Sequence, residues 1–221
     1  SEQVDALHSK TISTAAKITE TKVLQWADKL TTDSKIVKKM YKEKLNVDFE
    51  FFYAPLDIKK FENLKNIEKK ENQIIFIGRD SYEKGIDILR EIEPKINAKV
   101  VYCTNTKWKD AMENLKASSA LVVPSRMESI PQVIKEAFYL KIPIIATNVG
   151  GIPELITDNE TGILIPPNEP KILESSINKL LVDNETSKKL ADKGYEFVMN
   201  NLTWEILLPK YVKFYEDLLN S

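Results

Sequence analysis

The 221 residues include one cysteine, one histidine, three arginines and six glycines. Each scarcity excludes something. A lone Cys103 cannot build a disulfide framework within the chain, which fits a reducing cytosol. Set in the strand-like run AKVVYC, it reads as a small buried hydrophobe rather than a nucleophile. With His8 the only histidine, Ser125 has no nearby base to activate it, so serine-histidine chemistry is not expected. No apolar run is long enough to cross a bilayer and no secretory leader is expected, so a cytoplasmic location is. Lysine plus arginine total 32 against 33 acidic residues, and a net charge of −1 argues for no nucleic-acid partner. Internal repeats and low-complexity segments are absent, and the first seventy residues carry no glycine-rich loop.

The apolar residues, 43% of the chain, suffice for a full core. From position 74 onward, short β-branched runs alternate with amphipathic stretches. IIFIG, AKVVYC, ALVVPS, PIIAT and TGILIP read as strands. Helices are expected over 86–92, 108–116, 131–140 and 153–156, then over 170–181, 185–199 and 204–219. Strands spaced by helices predict an α/β fold with a parallel, doubly wound sheet. Before position 70 the pattern differs. Residues 27–34 read as a helix end, a short strand and a helix cap, and FEFFYAP at 49–55 as another strand.

The stretch 120–136, ALVVPSRMESIPQVIKE, is the most informative. A buried strand delivers Glu128 to its C-terminal edge, beside a helix that starts near Pro131 and contains Glu136. Ligands of open α/β sheets bind at that edge. A helix start there offers free N–H groups and a positive dipole end, which suit a phosphate. A carboxylate beside a phosphate is sensible only if it faces something neutral, such as sugar hydroxyls. The combination points to a nucleotide-sugar. The two glutamates are poor candidates for a glycosidase acid/base pair, because those carboxylates face each other across a bond. On the residues alone, Glu136 also reads as a solvated helix glutamate, and Arg79 and Lys84 as solvated loop cations. Two of the three arginines, Arg79 and Arg126, lie in these motifs, and an arginine fork matches phosphate oxygens as lysine cannot.

Four ordered motifs resemble the family-four retaining glycosyltransferases of the GT-B fold. They are IIFI followed by Gly78-Arg79 and then Lys84-Gly85; the Pro-Ser strand with Glu128 and, eight positions on, Glu136; IPIIATNVGGI; and PELITDNETGILI. The resemblance covers the chain from about position 27 and implies a Rossmann-like donor-binding domain at 57–203. Residues 1–56 would be the tail of an N-terminal acceptor domain with the hinge, and 204–221 a helix crossing back to it. On this reading the chain is expected to be the C-terminal part of a larger enzyme.

The resemblance also assigns roles. Arg79 and Lys84 would bind the donor pyrophosphate, with Gly78 allowing close approach, and Glu128 would hold hydroxyls of the transferred sugar. Backbone groups of Ser129, Ile130, Pro131, Gln132 and Val133 would line sugar and phosphates, while Glu136 would accept from the ribose. Transfer would retain anomeric configuration and need neither metal nor cofactor. The acceptor would be a glycan or a lipid-linked sugar, with room for peripheral association at the inner membrane face. Two departures matter. Pro131 stands where the family has glycine and lacks an N–H. Only one βα unit separates the Lys-Gly motif from ALVVPS, where the family has two; base contacts are placed near Tyr102 and Thr104. A non-catalytic nucleotide-sugar binding module and a GT-B epimerase or phosphorylase remain alternatives. Gly150-Gly151 is expected to serve a tight turn.

Overall fold

The computed structural model describes residue 19 and residues 22–24, 26–65 and 67–220; His8 lies outside them. A parallel pair, β1 (Thr31–Thr32) and β2 (Glu50–Phe51), is bridged by helix α1 (Lys35–Leu45). The elements that follow are β3 (Gln73–Ile77), α2 (Ile86–Ile92), β4 (Lys99–Cys103), α3 (Trp108–Ala117), β5 (Ala120–Val123) and α4 (Gln132–Tyr139). After them come β6 (Ile144–Thr147), α5 (Ile152–Leu155), β7 (Ile163–Ile165), α6 (Pro170–Val182), α7 (Asn184–Asn201) and α8 (Trp204–Leu219). No helix among the described residues is long and apolar enough to cross a membrane.

The main sheet is wholly parallel, in the order β4-β3-β5-β6-β7. Because strand side chains alternate, it feeds two separate cores. Ile75, Leu121, Val123, Ile144 and Ala146 pack with buried residues of α3, α4 and α7. Ile74, Phe76, Val100, Val122 and Ile145 pack on the other side with α2 and α6. Helices therefore cover both faces, which is the doubly wound α/β architecture expected. Gly194 lets α7 lie close on α4: a Cβ there would stand 2.3 Å from Phe138 Cδ1.

Helix α1 starts where Ser34 caps it, its Oγ accepting from Val37 N at 3.3 Å, and stops at Asn46 in a left-handed conformation. A second cap comes from far along the chain. The Glu154 carboxylate accepts from Ser34 Oγ at 2.8 Å, Lys35 N at 2.8 Å and Ile36 N at 3.0 Å.

Two expectations need correction. The strand at 49–55 is ordered as a strand only over Glu50–Phe51. Beyond it, side chains take the carbonyls that a ladder would use: Tyr211 donates to Tyr53 O and Lys135 to Ala54 O. Phe52 lies against Tyr211 and Phe214 of α8. Pro131 is not the first helical residue but the extended N-cap of α4, at φ −72° and ψ 118°.

Candidate functional site

The chain enters the main sheet at β3, places β4 on one side and then crosses to β5 on the other. This reversal opens a crevice between the C-terminal ends of β3 and β5, the place where open α/β sheets hold ligands. The Gly78–Gly85 loop leaves β3 there, and the Pro124–Pro131 loop leaves β5.

The two loops are stitched together. Arg126 N and Met127 N donate to Glu83 O, at 2.8 and 3.3 Å. The Arg126 guanidinium donates to Tyr82 O at 2.7 Å, to Asn168 Oδ1 at 2.6 Å and, with both terminal nitrogens, to the Asp87 carboxylate. It also lies 3.9 Å from the Tyr82 ring centroid. Its hydrogen bond holds the Asp87 carboxyl below the usual carboxylate range. Arg126 thus acts as a strut rather than a free phosphate fork. Gly85 (φ +66°) completes the join: a Cβ there would fall 2.0 Å from Pro124 O.

Within this frame, Lys84 Nζ donates to Glu128 Oε1 at 2.5 Å, and Ser125 Oγ donates to the same oxygen at 3.1 Å. The side chains are 23% and 10% exposed respectively. Glu128 Oε2 accepts no hydrogen bond among the described residues and remains available to a hydroxyl. Ser125 is a buried prop for the carboxylate, and Thr147 Oγ1 in turn donates to Ser125 O. Arg79 is exposed and its guanidinium makes no hydrogen bond among the described residues. Asp80, beside it, pairs with both terminal nitrogens of Arg90.

The glycine pair of the β6–α5 turn supports the same loop. Gly150 has φ +51°, and a Cβ would lie 1.8 Å from Glu128 O; at Gly151 it would lie 2.1 Å from Ser129 O. These glycines make the turn foreseen from sequence, and they also seat the Glu128 loop, which sequence reading missed. Ile130 and Pro131 are buried while Gln132, the first residue of α4, is exposed, with Val133 between the two. Ile134 N donates to Pro131 O at 3.2 Å, and since no side chain caps α4, the Gln132 and Val133 N–H groups have no acceptor among the described residues.

Glu136 accepts from Trp108 Nε1 at 2.7 Å, and burial pushes its carboxyl above the ordinary value. Tyr102 and Thr104 fall in different surroundings. The Tyr102 hydroxyl donates to Glu93 Oε2 at 2.8 Å, and its ring packs toward Phe76 and Arg90 in the α2-side core. Burial and Glu93 raise its pKa. Thr104 follows β4, where its carbonyl accepts from Thr106 Oγ1 at 3.4 Å.

Sequence reading also missed Lys135, which is fully buried and donates to Ala54 O at 2.7 Å. Burial lowers its pKa from 10.5 to about 8, against the opposing charges of Asp33 and Glu136. The unfolded chain therefore holds this proton more tightly, and stability rises with pH between about 8 and 10.5. Relative to Lys135→Met, the parent protein should gain about 2 kcal/mol from pH 8 to pH 10 in urea unfolding. Parallel curves would mean that the amine is solvated.

Comparison with known proteins bears on the family and the fold. Residues 91–197 match the family model "Glycosyl transferases group 1". An uncharacterized glycosyltransferase of Methanocaldococcus jannaschii is 28% identical over 216 residues, 87% of this chain and 60% of that protein. The chain therefore spans less than two thirds of that relative. Sucrose-phosphate synthase from Thermosynechococcus elongatus has the same fold, with TM-score 0.78 and 22% identity over 100% of this chain and 64% of its own. Anabaena HepE, solved in complex with UDP and glucose, superposes with TM-score 0.80 and 14% identity, covering 95% and 68%.

Proposed function

We propose, from the premise that this chain carries the group 1 glycosyl transferase domain of a GT-B glycosyltransferase, that it binds a nucleotide-sugar donor for transfer with retention of anomeric configuration. The observation that carries the reading is the Lys84–Glu128 pair at the topological crevice. It puts a cation suited to a pyrophosphate beside a carboxylate with one oxygen free for sugar hydroxyls. Arg79, exposed at the mouth of the same loop, is the second cation, and the unclaimed N–H groups of α4 are further phosphate donors. Glu136 receives the ribose hydroxyls. The presence of UDP and glucose in the HepE complex supports a nucleotide-sugar as the ligand class.

In this reading the departing diphosphate is stabilised by Lys84, Arg79 and backbone N–H groups, so no metal is required. It also stays close enough to take the proton of the incoming acceptor hydroxyl, which attacks on the same face. The protein supplies position and charge rather than a covalent nucleophile. An N-terminal domain of the same enzyme would bring the acceptor, a glycan or lipid-linked sugar.

Calorimetric titration with UDP, GDP and ADP in the presence of EDTA tests the reading. One diphosphate should bind, and Glu136→Ala should weaken it more than its 2′,3′-dideoxy analogue. An unchanged ratio would remove the ribose role, and no binding by any diphosphate would remove the donor-site reading. Binding that persists in a full-length enzyme showing no transfer would instead indicate a binding module.

A further inference from the structure

Trp108 is a large aromatic residue at the functional edge of the sheet that the roles assigned so far do not use. It opens α3, a few residues past the C-terminal end of β4, and is 36% exposed. Its indole is fixed from two directions. Nε1 donates to Glu136 Oε1 at 2.7 Å, and Phe61 meets the ring nearly perpendicularly, at 78° with centroids 5.1 Å apart. Phe61 is itself buried and leans on Tyr139 of α4. The exposed part of the indole is therefore presented by a rigid mount, not by a loose surface side chain.

The hydrogen bond defines what lies next to that surface. Trp108 occupies one oxygen of Glu136, and Oε2 accepts no hydrogen bond among the described residues. A ribose on Glu136 would carry its base within reach of the indole, since base and hydroxyls are substituents on neighbouring carbons of one five-membered ring and Trp108 Nε1 lies 2.7 Å from Glu136 Oε1. Tyr102, one of the two residues near which the sequence reading placed the base, contacts Glu93, Arg90 and Phe76.

Resting on the donor-site reading above, we infer that Trp108 is the stacking platform for the nucleobase of the donor and that its bond to Glu136 sets base and ribose in register. An aromatic platform accepts any base face, so affinity comes from overlap and the choice among bases from the neighbouring backbone. Lys107, which precedes it, leaves the start of α3 without a side-chain cap.

The probes are UDP, GDP, ADP and inorganic pyrophosphate. In protein carrying Trp26→Phe and Trp204→Phe, Trp108 is the sole tryptophan, and stacking of a base should quench its emission in a saturable way. Pyrophosphate should leave the emission unchanged. Trp108→Ala should weaken the nucleoside diphosphate that binds by roughly 5- to 150-fold, the range measured for base stacks. Its pyrophosphate affinity should stay as in the parent, and Trp108→Phe should fall between. Nucleotide binding with unmoved emission, or equal losses for pyrophosphate and nucleotide, overturns the inference and leaves the donor-site reading intact. Failure of all three nucleotides to bind overturns both.

Discussion

Gly150→Ala should cost about 3 kcal/mol of stability or more in urea unfolding and abolish donor binding in the fraction that folds. Two penalties combine. A residue with a Cβ at φ +51° pays about 1–2 kcal/mol for the left-handed conformation. The new methyl would also stand 1.8 Å from Glu128 O, which is backbone and has no rotamer to change. Relief requires the 128–130 loop to move, and that loop carries the carboxylate facing Lys84. Gly78→Ala is the contrasting case. Its φ is not positive and its Cβ would meet only side-chain atoms, the nearest being Phe76 Cζ at 3.3 Å. That variant should stay within about 1 kcal/mol of the parent while still crowding a bound pyrophosphate. A Gly150→Ala protein as stable as the parent would show that the loop is not seated on the glycine turn.

Lys84→Ala should reduce nucleoside-diphosphate affinity by about 10- to 150-fold, the worth of a hydrogen bond to a charged group. Free nucleosides should bind as before. The argument is geometric: Lys84 is held by Glu128 at the crevice and is only 23% exposed, so its ammonium is already placed and partly desolvated. An exposed lysine would pay more side-chain entropy to reach the same phosphate. The substitution also leaves Ser125 as the remaining donor to a carboxylate that is 10% exposed. Some stability is lost with it, so titrations belong well below the unfolding midpoint. Equal losses for diphosphate and nucleoside would remove Lys84 from the pyrophosphate role.

How much of this was legible in the sequence depends on the range of the contact involved. The β-branched runs located every strand of the main sheet, because burial on both faces leaves no other pattern available. The helix over 86–92 and the one starting at Trp108 were read to within a residue. Arg126 shows where such reading fails. Next to a Pro-Ser turn, an arginine suits a phosphate as well as a strut, and its partners Asp87 and Asn168 lie 39 and 42 residues away. Lys135 is similar. It stands between Ile134 and Glu136, and it is buried because the segment at 52–55 covers α4, an 81-residue contact that helical periodicity cannot register. Gly150 and Gly151 announced a turn, but which loop the turn supports is a matter of tertiary packing.

The long-range cap on α1 has a consequence for the order in which this protein takes shape. The first turn of α1 is closed by Glu154, 118–120 positions later. A chain emerging from the ribosome makes α1 before the main sheet and then waits through four strands of that sheet for the carboxylate that completes it. Until α5 forms, the Lys35 and Ile36 amides lack that partner and must be served by water. Helix α1 is thus begun before the main sheet and fully capped only once α5 has formed, so a break in the glycine turn that precedes α5 would be felt at the start of α1.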